Sequence, residues 1–420
     1  GAVGAVFLGL QVGCAQCHNH KYDPISQADF YRLRAVFEPA VPALKRDVPV
    51  AYLASPANAP PARLWVRGDH RRPGLEVPPA FPRIASTLAR SASEGNAVSI
   101  RVDSALRAPR SALASWLVTP DNPLTSRVIA NRLWQHHFGR GLCLTPSDFG
   151  VMGGPVTHPE LLDWLATDLR DGDWQMKRLH RLIVSSATYR SASIPHSALR
   201  TPHLADTANA LYTYFPRQRL SGEAIRDAML AAAGLLTSER GGPGVMPPLP
   251  DELLGTLLKG QWTTSKRQAD HYKRSVYLFA RRNLRYPLFE AFDRPDGNAT
   301  CPIRTRSTTA PQSLLLFNSE FSLLAAQHLA GRITANTTDP RQQIDRLYLI
   351  ALSRRPTAAE AATLEKFLAQ QRDRLSVEAR PRDQLALPTP CSDNADPYSG
   401  AALVDACLAI LNSSEFIYVD

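Results

Sequence analysis

Proline placement constrains this chain more than any other feature. Thirty-four prolines occur in 420 residues, and the set between residues 42 and 110, including Pro60-Pro61, Pro73 and Pro78-Pro79, interrupts any long helix or central strand there. This Pro-, Ala- and Arg-rich stretch is expected to form an extended connector over residues 46–107, with short strands near 62–66 and 97–102. A structureless segment of that length is unusual, so it should lie along the surface of a neighbouring unit. It divides the chain into a head, residues 1–45, and a long tail, residues 108–420.

In the tail, prolines fall where helices begin. Residues 111–117 open the region, and Asn122-Pro123 starts a helix through Phe138 with apolar Val128, Ile129, Leu133 and Trp134, ended by Gly139 and Gly141. Thr157 is a predicted N-cap for residues 159–169, with Leu161, Leu162, Trp164 and Leu165 on one stripe. Residues 176–186 and 221–236 repeat the pattern, as do 311–333, 340–352 and 357–375, the last with a Thr357/Glu360 capping box. Residues 275–280 form the best strand candidate, 287–292 a short helix, 381–400 a loop and 401–411 a closing helix. In the head, Phe30, Leu33 and Phe37 recur at helical spacing over residues 27–37, with Pro39 as the stop. The expected fold is mainly α: a multi-helix globular protein with short β segments and a Pro-rich connector.

A chain of this length needs two or three packed units, and 44% hydrophobic against 20% charged residues suits a globular protein. Apolar runs such as 402–410 are far shorter than the roughly 20 residues of a membrane span, so no transmembrane span is expected. Residues 1–10 are small and apolar without a preceding basic stretch, so Gly1 reads as a cut inside a domain, with any signal lying upstream. Lys and Arg exceed Asp and Glu by 48 − 38 = 10, mostly through Arg, which suits carboxylate, phosphate or sulfate partners. No basic run with interleaved aromatics marks a nucleic-acid surface, and pairs such as Arg71-Arg72 and Arg281-Arg282 read as solvated faces.

One motif carries chemistry. In Cys14-Ala15-Gln16-Cys17-His18 the two thiols, three residues apart on a helical turn, can form thioethers with the two vinyl groups of a haem, with His18 beneath the iron as proximal ligand. The competing assignment is zinc, held by Cys14, Cys17 and His20 with His18 or a distant donor; a second Cys-x-x-Cys pair is missing. A distal haem ligand must come from elsewhere in the chain, and Met152, His136, His137 and His158 are the candidates; an open site is the alternative. Cys391 and Cys407 either bridge or remain free buried thiols, like Cys143 and Cys301.

Weaker patterns carry less. Asp148-Phe149-Gly150 matches a kinase triplet without the rest of the kinase signature. The Gly241-Gly242-Pro243-Gly244 run reads as a turn, and Asp293 and Asp296 flank Pro295 as turn formers rather than an acid/base pair. No complete catalytic set can be assembled, which favours an electron carrier over a hydrolase.

Longer strings extend these readings. GCAQCHNHKYDPISQADFYRL (13–33), TPDNPLTSRVIANRLWQHHFGRGL (119–142), THPELLDWLA (157–166) and LHRLIVSSATYR (179–190) are joined by RLSGEAIRDAML (219–230), Phe292-Asp293-Arg294-Pro295-Asp296, PQSLLLFNSEF (311–321) and LNSSEFIYVD (411–420). With these the chain resembles a planctomycete cytochrome c-associated family: the end of a PSCyt2-type domain followed by a PSD1-type domain of unknown function. Asn19 stands where that family often has Asp, and Thr119 where it often has Ser. The resemblance implies an exported, periplasmic or otherwise extracytoplasmic bacterial protein. It also implies electron transfer to a redox partner protein or an upstream cytochrome domain, and an association with breakdown of sulfated or complex polysaccharide. The other expected role is a non-enzymatic interaction module with structural zinc, docking a partner enzyme or anionic polysaccharide through Arg-rich faces.

Overall fold

A computed structural model describes residues 1–38, 41–44, 51–54, 61–82, 84, 109–193, 209–258, 260–281, 284–298 and 300–419. Helices dominate them, and the strands form only two-stranded antiparallel pieces. The chain divides into two units, Gly1–Pro216 and Arg217–Asp420. The expected strand at 97–102 lies outside the described residues.

The first unit begins with a π-helical turn, Gly4–Leu8, and a 3-10 turn, Val12–Gln16. Helix α1 (Gln27–Ala35) follows, capped by Ser26, whose hydroxyl takes the Asp29 amide while the Asp29 carboxylate takes the Ser26 amide. Strands β1 (Val41–Leu44) and β2 (Ala51–Ala54) pair with each other, as do β3 (Arg63–Trp65) and β4 (Pro73–Glu76). Four helices complete the unit: α2 (Pro109–Leu117), α3 (Pro123–Phe138), α4 (Pro159–Asp171) and α5 (Met176–Ser185). The Asn122 side chain accepts from the first amides of α3, Pro123 occupies the position where a missing N–H costs nothing, and Gly139 ends the helix left-handed.

Two apolar clusters hold this unit. Leu8, Val12, Ala15, Ile25, Leu33 and Leu124 form one, bordered by Phe81 stacked on Trp116. Trp134, Phe138, Leu162, Leu165, Ile183 and Tyr212 belong to the other. Each fully buried large apolar side chain contributes about 1.5–3 kcal/mol.

In the second unit, β5 (Gln218–Arg219) pairs with β6 (Tyr418–Val419). Between them run α6 (Gly222–Ala233), α7 (Pro287–Ala291), α8 (Ala310–Asn318), α9 (Glu320–Thr334), α10 (Pro340–Leu352), α11 (Ala358–Val377) and α12 (Pro397–Leu411). Helices α9 and α12 pack through small residues, Ala325, Ala326 and Ala330 on one and Ala402 and Ala406 on the other, around Leu329, Val404 and Leu411. Such residues let helix backbones approach closely. Gly331 on α9 does the same for the loop before α12, since a Cβ there would enter the Thr389 carbonyl.

Several local expectations are corrected. Residues 275–277 form a 3-10 turn rather than a strand, because the Asp227 carboxylate binds the Ser275 amide and hydroxyl, and only Leu278 makes an isolated bridge, to Val245. The helix expected over 311–333 is two, α8 and α9, broken at Ser319, which is extended and caps α9. Thr157 does not cap α4; its hydroxyl donates to Leu142 O, and His158 takes the N-cap position. Trp164 is half-exposed, since at 100° per residue the buried stripe is Leu162, Leu165, Ala166 and Leu169. The closing helix starts at Pro397, where the Asp396 carboxylate accepts from Tyr398 and Ser399. Cys391 and Cys407 do not bridge: Cys407 is buried in the α9–α12 core, and Cys391 is a partly exposed thiol beside Arg382.

Candidate cofactor site

The Cys-His segment is a one-sided turn. Val12 and Ala15 point into the apolar cluster, so Cys14, Cys17, His18 and Asn19 are left on the solvent side. Two side chains from α1 grip its end: Tyr31 Oη donates to Gln16 O at 3.2 Å, and Gln27 Nε2 donates to the same carbonyl and to Trp65 O, both at 3.1 Å. The Tyr31 ring is fully buried, and that burial raises its pKa, so it stays a donor. Arg34 lies 3.4 Å above the centre of the Trp65 ring, fastening β3 to α1.

The loop after Trp65 passes close beside one thiol. Gly68 is left-handed (φ +76°), and a Cβ built on it would lie 2.6 Å from Cys17 Sγ. Only glycine leaves that space, so the sulfur sits in a cradle that a side chain would fill.

The two histidines are set apart by their hydrogen bonds. His18 Nδ1 donates to Asn19 O at 2.6 Å, which puts the ring hydrogen on Nδ1 and leaves the Nε2 lone pair directed elsewhere. His20 is the reverse. Its Nδ1 accepts the amides of Asp23 (2.9 Å) and Tyr22 (3.3 Å), so its hydrogen is on Nε2 and neither nitrogen offers a lone pair to a metal. Asn19 Oδ1 accepts the Gln27 amide at 2.9 Å, a role an Asp carboxylate fills equally well.

Asp23 joins this turn to the loop before α4. Its side chain is 2% exposed, and its Oδ1 takes the Val151 amide at 2.7 Å. Gly150 packs so tightly on the carboxylate that a Cβ would enter it. Phe149 N donates to Gly9 O at 2.6 Å, Gln11 Nε2 to Ser147 O at 3.1 Å, and Arg132 Nη2 to Ala5 O at 3.0 Å. The Asp148-Phe149-Gly150 triplet is therefore a docking strip for the start of the chain.

Residues 109–368 match PSD1, described as a protein of unknown function (DUF1553), over more than half of the chain. The chain belongs to the PSD1 family. Residues 1–41 match PSCyt2, also a protein of unknown function (DUF1549), so in this PSD1 protein the Cys-His turn lies in the PSCyt2 part and is latched to the PSD1 part by Asp23. Neither a curated protein nor a solved structure matches.

The distal-ligand candidates all fall in the PSD1 part. Met152 is exposed and follows Val151, so its turn is tied to Asp23 and through it to the His20 turn. His136 is exposed on α3. His137 Nε2 pairs with His180 Nδ1 at 2.8 Å, edge-on to the Tyr189 ring, and His158 Nδ1 lies 3.0 Å from Thr157 Oγ1. Among the described residues no group of three or more His, Cys, Asp or Glu could hold a metal ion, and none of their helices is long and apolar enough to cross a membrane.

Sequence reasoning missed Asp23, Gly68, Tyr31, Gln27 and His180. For Asp23 a signal exists, an acidic residue beside Pro24 in a turn; for Gly68 there is none, because the sulfur it shelters is 51 positions away. Asp293 is a structural anchor: it accepts from Arg219 and Ser307, and the amide and hydroxyl of Ser307 help hold its carboxyl below the usual range against the opposing effect of burial.

Proposed function

We propose that this PSD1 protein is an extracytoplasmic c-type cytochrome-like electron carrier, with Cys14 and Cys17 as thioether attachment points and His18 Nε2 as the proximal iron ligand. The observation that carries the reading is the 2.6 Å bond from His18 Nδ1 to Asn19 O. It fixes the tautomer that would let Nε2 hold an iron and stiffens the ring against rotation. The donor set is consistent with it, since both thiols face solvent on a turn whose other face is packed. Bound haem c supplies one-electron transfer.

The remaining work belongs to the chain. Tyr31 and Gln27 hold the Gln16 carbonyl between the two cysteines, so the Cys-to-Cys spacing does not depend on the cofactor. Gly68 leaves room at Cys17, and the Asp23 latch keeps Met152 tied to the turn as the favoured distal candidate. The reading includes a periplasmic or otherwise extracytoplasmic location, which the resemblance to an exported family supports, and transfer of electrons to a redox partner or an upstream cytochrome domain linked to polysaccharide breakdown.

The test is a pyridine haemochrome spectrum of the full chain, made in a host carrying cytochrome c maturation machinery and extracted in acid acetone. Haem should stay with the protein and be lost from the Cys14→Ser/Cys17→Ser double variant. A colourless protein from a host that matures a control c-type cytochrome ends this reading. Equimolar zinc, lost in the same variant, would put the structural-metal module in its place.

A further inference from the structure

In the second unit, Asp293 ties two segments together. Its carboxylate takes Arg219 Nη2 of β5 at 2.6 Å and the Ser307 amide at 2.8 Å, drawing the stretch before α8 alongside β5. This gathers the guanidiniums of Arg219, Arg304 and Arg306. Arg219 has Asp293, and Arg304 has Glu223 at 3.0 Å, a carboxylate that Arg294 also approaches at 3.8 Å.

Arg306 is different. Among the described residues no carboxylate pairs with it, and its partner is the neutral Gln218 Oε1 at 2.7 Å. Arg306 is exposed, and partial desolvation, then the charges of Arg219 and Arg304, push its pKa down. In the same cluster Arg219 Nε is buried without an acceptor, on a side chain 5% exposed. A guanidinium has five N–H donors, and Arg306 uses one of them here. Beside it, Thr308 Oγ1 and Tyr418 Oη lie 3.0 Å apart at the surface, and Arg217 sits 4.9 Å from the centre of the Tyr418 ring.

We propose that Arg306, with Arg304 and the Thr308 hydroxyl, forms a site for a tetrahedral oxyanion presented as a sulfate or phosphate ester. Guanidinium forks bind such anions two-pronged, and two guanidiniums with a hydroxyl beside them suit a three-dimensional anion better than a planar carboxylate. The site stands independently of the haem reading.

The test is calorimetric titration of the full chain with inorganic sulfate, inorganic phosphate and acetate at ionic strength fixed with chloride, alongside thermal melts. Saturable binding of sulfate or phosphate is expected, weakened at least tenfold in Arg306→Gln and less in Arg306→Lys, which keeps charge but not the fork. Arg341→Gln, whose guanidinium pairs with Glu365 on α11, should bind as wild type. Without added oxyanion, Arg306→Gln should melt no lower than wild type, because it removes an uncompensated charge. Glucose 6-sulfate against glucose 6-phosphate then identifies the source. Absence of saturable binding, equal binding of acetate, unchanged affinity in Arg306→Gln, or a markedly lower melt of that variant in chloride alone would each overturn the proposal.

Discussion

The Cys-His turn and the α9–α12 helix pair are held by different forces. Around the turn, individual polar groups do the fixing: Tyr31 and Gln27 on one carbonyl, Asp23 on one amide, Gly68 against one sulfur. In the helix pair, Leu329, Ala330, Val404 and Leu411 exclude water with no polar contact between them. Hydrogen bonds place atoms; apolar burial supplies most of the stability. A cofactor site needs the first, and the second unit relies on the second.

The largest effect should come from the helix pair. Leu329→Ala removes a fully buried side chain and is expected to cost about 2–5 kcal/mol, seen as faster hydrogen exchange across α9 and α12 with residues 4–35 unaffected. A loss near zero would mean that the helix pair is not held by apolar packing.

Asp23→Ala should cost less, about 1–3 kcal/mol, by leaving the Val151 amide without its acceptor. Asp23→Asn keeps an acceptor oxygen and should recover most of that loss. If the two behave alike, the latch is electrostatic rather than a placed hydrogen bond.

Gly68→Ala forces a left-handed alanine and a methyl group onto Cys17 Sγ, a change worth about 1 kcal/mol. Its sharper readout is chemical: alkylation of Cys17 should slow while that of Cys14 is unchanged. Equal rates at both thiols would remove Gly68 from the site.

The smallest effect separates a histidine from a carboxylate by pH. Burial, then the neighbouring His180 and His136, hold the His137 pKa below the ordinary imidazole value of 6.5. The unfolded chain therefore binds a proton that the folded chain refuses, so first-unit stability is full above that pH and falls as pH drops below it. Glu360 behaves as an acid whose pKa is lowered to about 2 by Arg354 and Thr357, so its contribution is complete above its ordinary 4.5 and is lost only below it. Hydrogen exchange at about pH 5 should thus show α3 and α5 loosened around His137 and the start of α11 at Glu360 intact; burial lowers the His328 pKa as well, so α9 is expected to loosen over the same range. His137→Asn should abolish the loosening at α3 and α5, and its persistence there would assign the effect to another group.

Legibility in the sequence followed the same divide. Helices with an apolar stripe and a cap could be read directly: Asn122-Pro123 and Gly139 bound α3, and Thr357 with Glu360 opens α11. Two readings that failed turned on single polar contacts, Asp227 bending Ser275 out of an extended run and Ser319 splitting one apolar stretch into α8 and α9. At the site, the Cys and His donors stood out because they are contiguous. Their supports did not, because the Asp23–Val151 and Cys17–Gly68 contacts join positions far apart in the chain: Pro24 marks a turn at Asp23 but not its distant partner, and nothing local marks Gly68.

The most direct test of the cytochrome reading is the intact mass of the full chain purified from a host with haem maturation. One species heavier than the polypeptide by a single haem is expected, reverting to the bare mass when both Cys14 and Cys17 are replaced by serine. A wild-type chain at bare polypeptide mass, with no absorbance in the Soret region, would contradict it.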